Sequence, residues 1–258
     1  MSERVLFSMA DHVATLTLNR PEKLNALDPD MLQAMSVHLQ RLDSSTEARV
    51  LVIAAAGERA FCVGADIEVW STLKPIDMWR RWVRVGSAVF DQLARLRIPT
   101  IAALNGYAFG GGLELALACD LRIAADSAQL SAPEVKIATV PGWGGTYRLA
   151  DLIGPARAKQ MIFTGSRVTA EVAAQWGLVN EVVADDQLQD RVREIAREIA
   201  ANAPISVQLA KAAIDGGCGA GTGVALEAMA GALAAMTEDG QEGAASFRDR
   251  RTAEFEDR

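Results

Sequence analysis

The sequence predicts an α/β fold with a helical C-terminal region, and three observations lead there. Strand patterns alternate with helix patterns over roughly the first two hundred residues. After Val183 only helical patterns follow. The 258 residues are half apolar and 23% charged, an ordinary globular composition that buries a large core without disulfides or metals.

The elements follow in order. Residues 5–8 and 12–19 read as a hairpin, because Ala14, Leu16 and Leu18 alternate with Val13, Thr15 and Thr17. Asp28 followed by Pro29 reads as an N-cap with proline in the first helical position. Met31, Leu32, Met35, Leu39 and Leu42 continue that helix at the spacing of one buried face. Residues 50–54 predict a short buried strand, and 75–95 a longer helix. A strand at 100–104 precedes the turn pair Asn105-Gly106; a short apolar helix at 111–119 and a strand at 121–124 come next. Helices are expected at 187–201, 204–215 and 224–237, with a glycine-rich break at 216–223. The expected division is an α/β core over 1–195 and a helical region over 196–258. No internal sequence repeat is visible.

Composition narrows the function. The net charge is −7 and the pI about 5.0, which disfavours a nucleic-acid partner because phosphate binding needs a basic footprint. Cys62, Cys119 and Cys218 are widely spaced and odd in number, so no disulfide framework or zinc ribbon is expected and a reducing, cytoplasmic compartment is. The N-terminus lacks a signal-peptide layout. The long apolar stretch 98–125 is interrupted by Asn105, Glu114, Asp120 and Arg122, as a protein core is and a membrane span is not. With His12 and His38 as the only histidines, Ser-His-Asp, Cys-His and histidine-rich zinc sites are disfavoured. No P-loop and no GxSxG elbow occurs. Acid/base chemistry would therefore fall to carboxylates, lysine or tyrosine.

Three segments concentrate unusual residues: FCVGADI at 61–67, IAALNGYAFGGGLEL at 101–115, and APEVK at 132–136 continuing to VPGWGGT at 140–146. Three glycines before a helix let main chain approach a ligand without a Cβ in the way, and the first amides of that helix have no partner inside it. Glu114 then sits among Leu113, Leu115 and Leu117, where a carboxylate is costly unless hydrogen-bonded or used. Read locally, Glu134 is better taken as an exposed loop carboxylate.

Together with NRPEKLNAL at 19–27, these segments resemble the crotonase, or enoyl-CoA hydratase/isomerase, superfamily, in the same order and over nearly the whole chain. The resemblance implies a crotonase-like spiral of repeated ββα units with a C-terminal helical trimerisation region. It implies an oxyanion hole from the amides of Ala65 and Gly111, with Glu114 and Glu134 as paired acid/base groups around one water. Retention of both glutamates favours hydration of a 2-enoyl-CoA over isomerisation. The implied substrate is an acyl-CoA thioester, with no separate cofactor, metal, nucleic-acid or membrane partner. Implied substrate contacts are Lys23, Ala26, Gly64, Asp66, Ile67, Gly110, Pro133, Gly142 and Trp143, with Arg20 as a further source of charge. An isomerase or hydrolase on the same scaffold, or a noncatalytic CoA- or RNA-binding protein, are the alternatives.

Three positions depart from the family pattern: Glu68 in place of a frequent lysine, Ala138 in place of a frequent glycine, and Trp143 in place of a small residue. Trp70, Trp79 and Trp82 are open between core packing and the acyl pocket. The tail residues Glu242, Gly243, Phe247 to Arg251 and Phe255 resemble the part of the family that packs in trimers, so a homotrimer or a dimer of trimers is expected.

Overall fold

The computed structural model describes residues 3–217 and 220–258. Cys218 and Gly219, within the expected glycine-rich break, lie outside the described residues.

β1 (Val5–Ala10) and β2 (Val13–Leu18) form the hairpin. Its two-residue turn, Asp11 and His12, takes positive φ angles at both positions, as a two-residue hairpin turn requires. Ala14, Leu16 and Leu18 are fully buried. The Asp28 carboxylate accepts the Met31 amide at 2.9 Å and starts α1 (Pro29–Asp43), which buries the five predicted apolar side chains.

A unit of two strands and a helix then repeats. The first comprises β3 (Val50–Ala55), β4 (Ala60–Cys62) and α2 (Ile67–Trp70). After α3 (Pro75–Asp77) and α4 (Arg84–Ala94), the second comprises β5 (Thr100–Leu104), β6 (Tyr107–Phe109) and α5 (Gly111–Leu117). The third comprises β7 (Leu121–Ala125), β8 (Gln129–Ser131) and a 3₁₀ turn over Glu134–Ile137, followed by α6 (Gly145–Ile153) and α7 (Pro155–Thr164). β9 (Val168–Thr169), α8 (Ala170–Trp176) and β10 (Glu181–Val183) complete the sheets. α9 (Leu188–Ala200), α10 (Pro204–Asp215), α11 (Ala220–Met236) and α12 (Glu238–Asp249) follow.

In each unit the first strand enters a six-stranded sheet, ordered β1-β2-β3-β5-β7-β10, and the second enters a four-stranded sheet, ordered β4-β6-β8-β9. The pairings between successive units are parallel. The chain thus advances as a spiral, although the sequence itself shows no repeat. The large sheet is covered on both faces, so its central strands are continuously apolar. Leu51, Ile53, Ala102, Leu104 and Ala124 face the main core. Their neighbours Val50, Val52, Ala54, Ile101, Ala103, Ile123 and Ala125 meet Leu188, Val192, Ala196 and Ala200 of α9. α9 runs without a break through residue 196.

Two expectations are corrected. The single helix expected at 75–95 is α3, a π-helical turn over Met78–Val83, and α4. The wider turn places Met78, Trp82 and Val83 together on one cavity wall. The break expected to last to residue 223 ends earlier, because α11 begins at Ala220. Among the described residues no helix is long and apolar enough to cross a membrane.

Candidate active site

Each repeat leaves the small sheet at the same end, and there the three singled-out segments meet. The chain after β4 supplies Val63, Gly64 and Ala65. The chain after β6 supplies Gly110, Gly111 and Glu114. The chain after β8 supplies Pro133 and Glu134. All of these line one cavity of about 240 Å³, together with Ile67, Trp70, Met78, Trp82, Val83, Gly142 and Trp143.

The glycines before α5 have separate reasons to be glycine. Gly110 has φ +51°, and a Cβ there would lie 3.3 Å from the Glu134 Oε1. At Gly111 a Cβ would strike the Trp143 ring at 2.6 Å, and at Gly112 the Cys62 carbonyl at 2.0 Å. Gly64, at φ +96°, lies so close that a Cβ would sit 2.9 Å from the Gly111 nitrogen. The two expected oxyanion donors therefore belong to adjoining main chain. Among the described residues the Ala65 and Gly111 amides have no acceptor.

The early motif holds this loop from below. Leu27 donates its amide to Gly64 O at 2.7 Å, and Asp66 donates its own to Leu27 O at 2.8 Å. The buried Asn25 side chain donates to Ala56 O and Ala60 O. Arg20 donates to Asp66 at 2.6 Å, and the other oxygen of Asp66 caps α2 by accepting the Glu68 amide. Asp66 is consequently held below the usual carboxylate range by Arg20, against the opposing effect of its burial.

Lys23, Ala26 and Asp66 are not among the residues lining the cavity. Lys23 instead meets Glu68 at 3.0 Å, so the glutamate that departs from the family pattern neutralises a neighbouring lysine. Of the three open tryptophans, Trp70 and Trp82 line the cavity, while Trp79 is 61% exposed. Trp143 is buried at the cavity wall against Trp82 and Phe90, with ring centroids 5.4 and 5.2 Å away. Its ring fits because Gly86 leaves room, where a Cβ would lie 2.2 Å from it.

The two carboxyls stand in contrasting surroundings. Glu114 is 4% exposed, and its Oε1 accepts the Trp143 amide at 2.7 Å and the Gly145 amide at 2.8 Å. Burial pushes its carboxyl up, opposed by the amides of Gly145, Trp143 and Gly142 and by the charge of Arg148. Glu134 is 9% exposed, and neither of its oxygens has a partner among the described residues. Burial, with a smaller contribution from the charge of Glu114, pushes its carboxyl up to about 7. Burial raises both carboxyls, Glu114 against its amide donors and Glu134 without a partner, and such raised carboxyls suit proton transfer near neutral pH. Among the described residues no group of three or more His, Cys, Asp or Glu side chains is placed to hold a metal ion.

The histidines are ordinary: His12 contacts Glu47 O at 2.8 Å, and His38 stacks on Phe7. Cys62 and Cys119 are buried and unpaired. Sequence reasoning did not find Ser87 and Arg148, whose side chains donate to the carbonyls of Gly142 and Trp143. No local signal marks them, since their targets are main-chain atoms of a loop whose shape the sequence does not display.

Known proteins resemble this chain in sequence and in fold. The family model for enoyl-CoA hydratase/isomerase matches residues 8–258. A short-chain-enoyl-CoA hydratase of Clostridium acetobutylicum is 39% identical, over 97% of this chain and 96% of that one. A crotonyl-CoA hydratase of Syntrophomonas wolfei is 36% identical, over 98% of both chains. The crystal structure of an enoyl-CoA hydratase from Bacillus anthracis superposes with a TM-score of 0.96 at 39% identity, over 99% of this chain and 100% of that one. The chain belongs to the enoyl-CoA hydratase/isomerase family.

Proposed function

We propose that the protein is an enoyl-CoA hydratase, adding water reversibly across the double bond of a 2-enoyl-CoA to give a 3-hydroxyacyl-CoA. The observation that carries this reading is the pairing, in one cavity, of two buried carboxyls with two unused main-chain amides. The relatives named as hydratases over nearly the full chain support it.

The thioester carbonyl oxygen accepts hydrogen bonds from the Ala65 and Gly111 amides. Polarised in this way, the conjugated system is electron-poor at Cβ. Glu114, whose Oε1 accepts the Trp143 and Gly145 amides, acts in its carboxylate form and takes a proton from water as the water oxygen bonds to Cβ. The electron pair of the double bond moves toward the carbonyl, and the resulting enolate oxygen is met by donors fixed in advance. Removing one such donor typically costs about 10²–10³ in rate. Glu134, protonated in its unpartnered environment, delivers its proton to Cα, and the carbonyl re-forms. Net transfer of one proton from Glu114 to Glu134 restores the site. Each positioned acid or base contributes about 10²–10⁴.

Gly64, Ile67, Gly110, Pro133, Gly142 and Trp143 shape the pocket around the acyl thioester, while Lys23, Ala26 and Asp66 belong to the coenzyme A end in this reading. CoA enters as part of the substrate, and no further cofactor takes part. A homotrimer or dimer of trimers in the cytoplasm goes with it. The exposed Met229, Leu233 and Met236 of α11, at i, i+4 and i+7, supply an apolar face for such packing. Light scattering that finds monomer alone contradicts that part.

The test is loss of enoyl-thioester absorbance with crotonyl-CoA. The reading expects Glu114→Ala and Glu134→Ala each to lose at least about 10² in kcat while CoA binding persists. Full activity in either variant contradicts it. Double-bond migration in a 3-enoyl-CoA without hydration would indicate an isomerase instead.

A further inference from the structure

The loop at 142–145 supplies the amides that hold Glu114, and it is itself held by side chains. The Gly142–Trp143 peptide donates its N–H to Glu114 Oε1 at 2.7 Å. The carbonyl of that same peptide accepts the Ser87 hydroxyl at 2.9 Å. The next carbonyl, of Trp143, accepts Arg148 Nη1 at 2.9 Å. Arg148 in turn donates from Nη2 to Asp91 at 2.6 Å, and its side chain is 12% exposed. Ser87 and Asp91 are four residues apart on α4, hence on one helix face. Gly144 permits the arrangement: its φ is +105°, and a Cβ there would lie 2.1 Å from Arg148 Nη1. Hydrogen bonds in series through a peptide group reinforce one another. A hydroxyl on the carbonyl side strengthens the N–H on the other.

We infer that Ser87 and Arg148, with Asp91 as anchor, are positioning residues of the reaction: they fix the 142–145 loop so that its amides hold the Glu114 carboxyl aimed at the reacting water. This rests on the proposed hydratase chemistry for its kinetic consequence, but the control of Glu114 stands apart from it. The charged groups acting on Glu114 are Arg148 and Glu134. Ser87 carries no charge, so replacing it changes the Glu114 environment only through the shared peptide.

The experiment compares Ser87→Ala, Arg148→Met and Arg148→Lys with the parent enzyme by steady-state kinetics on crotonyl-CoA between pH 5 and 9. In parallel, the Glu114 carboxyl of the ligand-free protein is titrated by ¹³C NMR, assigned with Glu114→Gln. Ser87→Ala is expected to lower kcat about tenfold and Arg148→Met about a hundredfold, with KM changed less than about twofold. Arg148→Lys is expected to recover part of the loss. The Glu114 titration and the acid limb of kcat are both expected to move up by about one pH unit in Ser87→Ala. An unmoved Glu114 titration in Ser87→Ala and Arg148→Lys overturns the inference, as does unchanged kcat in an active parent. A parent that hydrates no enoyl-CoA, with the titration shifted as expected, overturns the hydratase reading and leaves the control of Glu114 standing.

Discussion

Ionising Glu134 inside the folded protein is costly, and Glu134→Gln turns that cost into a stability difference that depends on pH. The parent carboxyl is held at about 7 against an ordinary 4.5. At 1.36 kcal/mol per pH unit, this amounts to roughly 3 kcal/mol. The sign follows from where the proton binds more tightly. The folded state has the raised value, so Glu134 contributes stability that is fully present below about 4.5. That contribution is lost as pH rises, and the loss is complete above about 7. Glutamine has the same shape and no such titration. Its amide adds a fixed burial cost of about 1–3 kcal/mol, which is independent of pH. The stability of Glu134→Gln relative to the parent should therefore rise by roughly 3 kcal/mol between pH 4.5 and pH 8. Denaturant unfolding at several pH values and equal protein concentration reads this difference directly, because all other titrating groups are common to both proteins. A relative stability flat across that range would refute the argument that desolvation keeps this carboxyl protonated.

Three further outcomes follow. In the proposed mechanism Glu134 donates a proton, so kcat/KM for crotonyl-CoA should fall above about pH 7 as the free enzyme loses that proton; a profile flat to pH 9 counts against the role assignment. Ala138 ends the 3₁₀ turn at φ +56°, a conformation strained for a residue with a Cβ. Ala138→Gly should therefore raise unfolding stability by up to about 1 kcal/mol, and a loss in the denaturation midpoint would contradict that. Trp143→Ala should destabilise the fold by about 3–5 kcal/mol while raising kcat/KM for longer-chain enoyl-CoAs relative to crotonyl-CoA; equal loss for every chain length would show that the ring does not limit the pocket.

The hairpin, α1 and the central strands were legible because their apolar periods are long and their caps are local. Asp28 and the spacing from Met31 to Leu42 display α1 outright. The strands of the small sheet span three residues or fewer, too short for a period to show. That is why the ββα repeat, evident in space, left no mark on the sequence reading. The 75–95 region looked like one helix because the π turn keeps helical composition and changes only the hydrogen-bond step.

At the site, the residue types of Glu114, Gly110, Gly111 and Gly64 were conspicuous in the sequence, and family resemblance joined them to Glu134 and Ala65. What stayed hidden were relations across the chain. The donors to Glu114 lie about thirty residues further on. The brace on those donors comes from α4 through Ser87 and Asp91. The early motif was read as a coenzyme A contact, yet Leu24 and Leu27 tie down the loop that bears Ala65. The side chains of Lys23 and Asp66 meet Glu68 and Arg20, an arrangement no local spacing reveals.

A crystal structure with an unreactive 3-ketoacyl-CoA bound examines the core of the account without intermediaries. The thioester oxygen should lie about 2.7–3.1 Å from the main-chain nitrogens of both Ala65 and Gly111, with Cα and Cβ facing the Glu114 and Glu134 carboxyls. A thioester seated elsewhere, or an oxygen reached by neither amide, would contradict it.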